Sequence, residues 1–153
     1  QVAVYLTGED DGSLLCVSFP QDELGHRRQS ELEVIRLPRV GPGVAGHVLA
    51  TAQPLTVARV ADDRRFDAEV DRAPGYVVDN LCCAPVLSAL GKTLGAVQLA
   101  NKVSERWRPG RHDVQAEPRP FDAADERALA LMCAILGPAL ERQLLSNERF
   151  YTR

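Results

Sequence analysis

The sequence predicts an α+β fold: one central antiparallel sheet, helices packed on it, and a long C-terminal helix. Three observations lead there. Short β-type runs separated by turn residues recur through the first hundred positions, as in a sheet built hairpin by hairpin. A glycine- and proline-led Ala/Val/Leu segment interrupts them in the manner of a loop entering a helix. From Asp122 onward, Leu129, Met132, Leu136 and Leu140 recur at helical spacing and form an apolar stripe. With 153 residues, 45% of them hydrophobic, the chain can close one continuous core, so residues 1–153 are read as a single domain.

The elements follow in order. "VAVYLT" (2–7) and "LLCVSF" (14–19) flank "GEDDGS", whose Asp11-Gly12 is a strong turn signal, so the two form an antiparallel hairpin. "LEVIRLP" (32–38) alternates and stops at Pro38, as a third strand would. "GPGVAGHVLATAQ" (41–53) predicts a short helix entered after Gly43. "PLTVARV" (54–60) adds a short strand, and the polar "ADDRRFDAEVDRAPGYVVDN" (61–80), with a turn at Pro74-Gly75, reads as a surface lid. "LCCAPVL" (81–87) and "TLGAVQLAN" (93–101) form a second hairpin through "SALGK", and Pro85 predicts that the first of these strands pairs incompletely.

The last helix is expected over roughly residues 122–147, with Asp122 as N-cap and Asp125 at the third position, where carboxylates also suit the helix dipole. Pro138 removes one backbone bond and crowds the preceding turn, which predicts a kink or break near Gly137-Pro138. The chain opens in a strand with no leading helix and closes on the polar "ERQLLSNERFYTR", so both ends read as continuing into a longer parent protein.

Composition narrows the function classes. A net charge of -3 with both signs interspersed lacks the basic footprint of a nucleic-acid binder. No apolar run approaches the roughly 18 to 20 residues of a bilayer span, so membrane insertion is not expected. The four cysteines, none in a CxxC spacing, fit a reduced, cytoplasmic protein. Adjacent Cys82 and Cys83 on a strand point to opposite faces and neither bond each other nor share a metal ion. His26, His47 and His112 have no metal-site spacing, and no nucleophile elbow or phosphate loop occurs, so no cofactor and no catalysis within this chain are expected.

With this element order, and with Asn101-Lys102 followed after a gap by Phe121 and then Asp125-Glu126, the sequence resembles a GAF domain over nearly its whole length. The NK…FxxxDE pattern is similar to the signature of GAF domains in cyclic nucleotide phosphodiesterases and related adenylyl cyclases. The resemblance implies a GAF-type central antiparallel sheet and a regulatory site for cAMP or cGMP, controlling a linked catalytic domain, most often a phosphodiesterase. It also implies homodimerisation through the long helices. Within that resemblance Phe19 falls at the ring that stacks on the purine, and Asp67, Asp71, Pro74 and Val78 fall at lid positions facing the ligand. Where relatives carry an Asp after the aromatic residue this chain has Pro20, and Asp67, Pro74 and Val78 replace Tyr or Thr, so the polar contacts to the base differ.

The residues carry a physical reading of their own. A cyclic nucleotide presents one phosphate charge, a ribose and a flat purine. Backbone N–H groups of Val44, Ala45 and Gly46, at a helix start, suit the phosphate, although small residues there also serve tight packing. A Phe19 ring offers stacking of about 1 to 3 kcal/mol per base, although a Phe closing an alternating strand is ordinarily core. Lys102 at a strand end and Asp125 at a helix start read as a lock between the two elements, away from the ligand. Residues 103–120, with four arginines and Trp107, read as a surface loop or as a partner contact. The runner-up reading for the whole chain is a dimerisation and interaction module without a ligand. Redox, haem or metal sensing, and methionine sulfoxide reduction by Cys82 or Cys83, are more distant alternatives.

Overall fold

A computed structural model describes residues 2–7, 13–18, 33–38, 43–67, 77–103 and 118–151. Its strands are β1 (Val2–Thr7), β2 (Ser13–Ser18), β3 (Glu33–Pro38), β4 (Leu55–Val57), β5 (Leu81–Leu87) and β6 (Thr93–Ala100). Its helices are α1 (Val44–Thr51), between β3 and β4, and α2 (Ala123–Tyr151), with a 3-10 turn at Val60–Asp62. The six strands form one antiparallel sheet in the order β3-β2-β1-β6-β5-β4. The predicted α+β sheet with a long terminal helix is therefore what the chain forms.

Strand alternation sorts the apolar side chains onto two faces. One face joins Ala3, Tyr5, Cys16, Leu81, Cys83 and Ala96 to Val44, Ala45 and Val48 of α1. The other joins Cys82, Ala84, Val86 and Val97 to Leu129 and Cys133 of α2. Cys82 and Cys83 thus point to opposite faces, as their adjacency on a strand predicts, and all four cysteines are buried and form no disulfide among the described residues. β4 pairs only with Leu81, Cys82 and Cys83, so Pro85 lies beyond the end of its neighbour, where its missing N–H costs no ladder bond.

Two expectations change. The terminal helix runs from Ala123 to Tyr151 without the predicted break at Pro138. Pro138 and Ala134 both face outward, so the carbonyl that Pro138 leaves without its N–H turns to solvent. Gly137 beside it is buried against β5, where a Cβ would overlap the carbonyl oxygen of Leu87. Glycine is there for closeness: it lets the helix backbone rest directly on the strand. The second change concerns hydropathy. Residues Ala123–Ser146 are long and apolar enough by length and composition to cross a bilayer, with mean hydropathy 1.4, because Leu, Ile, Met and Ala occupy the outer face of α2 as well as the inner one.

Candidate functional site

The site layer lies between α1 and the sheet, and its local structure follows from Gly43. This residue takes φ 113 and ψ 161, a conformation closed to side chains with a Cβ, and turns the chain into α1. No side chain caps the helix start, and the first intrahelical bond runs from His47 N–H to the Gly43 carbonyl at 3.1 Å. The N–H groups of Ala45 and Gly46 therefore have no acceptor inside the helix. Val44 and Ala45 are fully buried and Gly46 is half-buried, so this end of α1 packs inward over β5 and β6.

Beneath α1, β6 carries a group that its composition does not favour. Gln98 pairs with Ala3 of β1 and Cys83 of β5, both on the α1 side, so its side chain faces that layer. It is 0% exposed, and among the described residues neither Nε2 nor Oε1 has a hydrogen-bond partner. An orphaned buried carboxamide costs on the order of 1 to 3 kcal/mol, which is reason to look for a ligand that completes it. The expected site residues did not include Gln98. The signal was one polar residue inside "TLGAVQLA", a strand buried on both faces.

The lid's two legs are held by hydrogen bonds. Asp63 accepts from Arg65 N–H at 2.8 Å, Nε at 2.9 Å and Nη2 at 2.7 Å, and that guanidinium holds the Asp63 carboxyl below the usual carboxylate range. The returning leg is tied by Asn101. Its Nδ2 donates to the Val77 carbonyl at 2.6 Å, its Oδ1 accepts from Asp79 N–H at 2.8 Å, and its own N–H donates to the Asn80 carbonyl at 2.8 Å. Asn101 sits at φ 57, a left-handed conformation that Asn tolerates better than most residues. Of the expected lid residues, Val78 is buried in the α1-side core and Asp67 is half-buried. Phe19, Pro20, Asp71 and Pro74 lie outside the described residues, as do residues 104–117 of the long polar insertion.

Lys102 reaches the other way. Its Nζ donates to Asp122 Oδ2 at 3.0 Å and, more closely, to Asp125 Oδ2. Asp122 is the N-cap of α2: its Oδ1 accepts from Ala124 N–H at 2.8 Å and Asp125 N–H at 3.2 Å, while Asp125 Oδ2 accepts from Asp122 N–H at 2.8 Å. This reciprocal cap is the arrangement that the sequence spacing predicts. Asp125, then Asp122, raise the Lys102 pKa, and Lys102 chiefly lowers that of Asp122. Phe121 packs into the α2-side core, and Glu126 continues the first turn half-buried. The insertion that begins after Lys102 is closed at its base by a bridge between Val103 and Pro118 and by Arg119 N–H donating to the Lys102 carbonyl at 2.9 Å.

Burial pushes the Cys82 thiol up and the Cys133 thiol to about 11, so both are protonated at neutral pH and are weak nucleophiles. His47 is half-buried on α1.

A family model described as the GAF domain matches residues 1–141. The chain is 34% identical over 64 residues to the dual 3',5'-cyclic-AMP and -GMP phosphodiesterase 11 of Drosophila melanogaster, covering 42% of this chain and 4% of that protein. It is 32% identical over 106 residues to a probable 3',5'-cyclic phosphodiesterase of Caenorhabditis elegans, covering 69% of this chain and 12% of that one. The matches therefore span only a small part of those relatives. The fold is similar to the GAF domain of an Acinetobacter phosphoenolpyruvate-protein phosphotransferase, with TM-score 0.64, 17% identity, 96% of this chain and 73% of that one. It is also similar to a free methionine-R-sulfoxide reductase of Neisseria meningitidis in complex with its substrate, with TM-score 0.56, 19% identity, 89% and 64%. From its sequence and its fold, the chain belongs to the GAF domain family.

Proposed function

We propose that this chain is a regulatory, non-catalytic GAF domain that binds a cyclic nucleotide and passes the binding event to a linked catalytic domain of a cytoplasmic phosphodiesterase or cyclase-like protein. The observation that carries the reading is Gln98, whose buried carboxamide faces the layer under α1 without a partner among the described residues. A carboxamide supplies two donor hydrogens and an acceptor, and by rotating half a turn it serves either the adenine or the guanine edge. The first-turn amides of α1 suit the phosphate. Phe19 supplies the stacking surface and Asp67, Asp71 and Val78 the lid wall. The NK…FxxxDE signature and the names of the matched phosphodiesterases support the cyclic nucleotide class.

The mechanism is a population shift: a ligand that hydrogen-bonds Gln98 favours the closed lid over the open one by its differential affinity. Asn101 holds the returning leg of that lid, and the neighbouring Lys102 holds the start of α2, so closure biases how α2 is presented to the next domain. Calorimetric titration of cAMP and cGMP tests the reading. At 100 times Kd a ligand adds about 2.7 kcal/mol, a rise of about 5 to 11 °C in Tm at this chain length. Phe19→Ala is expected to weaken nucleotide binding at least about tenfold in a protein that stays folded. No heat and no shift at millimolar concentrations of either nucleotide would remove this function.

A second reading, a ligand-free dimerisation module, is favoured by the outer face of α2. Leu131 is 66% and Ile135 74% exposed, flanked by exposed Met132 and Leu136 on successive turns. Pairing of two such helices buries this stripe. Sedimentation of Ile135→Glu distinguishes it: the variant is expected to run as a monomer where the parent chain runs as a dimer.

A further inference from the structure

A cavity of about 610 Å³ lies at the foot of the lid and takes none of its lining from α1 or β6. That volume falls inside the range of about 300 to 1,000 Å³ typical of small-molecule sites. Its lining includes Val60, Phe66 on the lid's outgoing leg, Val77 on its return, and Pro118 and Pro120. These walls are apolar, and Val77 is exposed. Four polar side chains interrupt them. Arg119 and Asp79 both line the cavity, yet among the described residues no ion pair joins them or engages either side chain. Asn80, 2% exposed, accepts from Lys102 N–H through Oδ1, and among the described residues its Nδ2 donates to no acceptor. Arg59 also lines the cavity and pairs with Asp62 at 3.4 Å.

Two opposite charges that share an apolar cavity without meeting each other are complementary to a ligand that carries both signs. A simple anion meets Asp79, and a simple cation meets Arg119 and Arg59. We propose that this cavity binds a free amino acid with an apolar side chain, its carboxylate toward Arg119 and the Asn80 amide, its ammonium toward Asp79, and its side chain against Phe66, Val77 and the two prolines. The cavity shares Val78 with the α1-side core and the proposed lid wall, but Arg119, Asp79 and Asn80 have no part in the nucleotide site, so failure of one proposal leaves the other standing.

The test is calorimetric titration of the 153-residue chain with L-leucine and L-phenylalanine. Leucine amide, which lacks the carboxylate, and N-acetyl-leucine, which lacks the ammonium, serve as controls. One saturable site is expected. Each blocked analogue, and each of Arg119→Gln and Asp79→Asn, is expected to weaken binding about five- to tenfold, and Ala61→Trp to fill the cavity and abolish it. These positions are exposed, so circular dichroism is expected to stay unchanged. With saturating cAMP present, one amino acid site is still expected, because the two ligands occupy different places. The proposal is overturned by absence of binding up to on the order of 10 mM amino acid, by blocked analogues that bind as well as the free form, or by displacement with cAMP.

Discussion

The two faces of the sheet are each covered by a helix but are built for different ends. Against α2 the surfaces meet with nothing spare: Gly137 brings helix backbone onto the Leu87 carbonyl, Leu129 and Cys133 are buried, and Lys102 fastens the first turn. Against α1 the apolar packing encloses a carboxamide with neither of its polar atoms bonded among the described residues. Among the described residues the first face is complete, whereas the second carries a penalty that the proposed ligand would remove. Substitutions of opposite chemical sense are therefore expected to move stability in opposite directions on the two sides.

The largest expected effect is on the closed face. Gly137→Val places a side chain into the Leu87 backbone and is expected to cost about 3 kcal/mol, read as a lower urea midpoint with unchanged slope. A cost below about 1 kcal/mol would mean that α2 can lift off β5 freely, and the contrast would fail. On the other face, Gln98→Leu removes the orphaned amide and keeps its approximate volume. It is expected to raise the stability of the ligand-free chain by about 1 to 2 kcal/mol while cyclic nucleotide binding is lost. Destabilisation by Gln98→Leu would show that the amide is already satisfied and would break the comparison directly.

Smaller effects sharpen it. Lys102→Met leaves two carboxylates facing each other at the start of α2 and is expected to cost about 1 kcal/mol, reduced by solvent screening. pH gives the smallest effect. The Lys102 pKa is raised above its ordinary 10.5, so its contribution is complete below that value and is lost as pH rises through the folded-state pKa. The Asp122 and Asp63 pKa values lie below the ordinary 3.8, so their contributions are present above that value and are lost as pH falls through the folded-state pKa. Thermal melts are expected to show a plateau between these limits, and Lys102→Met to flatten its alkaline shoulder.

Much of this architecture is legible in the sequence because it rests on local rules. Alternation marks the strands and sends Cys82 and Cys83 to different faces, and Asp122 with Asp125 announces the cap of α2. What escapes such rules depends on non-local contacts. The continuity of α2 through Pro138 follows from which way Ala134 faces, and the need for Gly137 arises from a strand fifty residues earlier in the chain. Gln98 is visible as an odd letter in an apolar strand, but only the packing around it shows that its amide is unmet. Asn101 and Lys102 are read correctly as neighbours in a motif, while the division of labour between them comes from hydrogen bonds to distant backbone.

That division gives the molecule a short crank. Asn101 grips the lid's returning leg and Lys102 grips the first turn of α2, and their Cα atoms are about 3.8 Å apart. The planar peptide between them resists twisting, so rotation of one residue is transmitted to the other with little slack. Load applied at the lid thus reaches the long helix through the Asn101 amide, one peptide link and the Lys102 ammonium, with no further residue between.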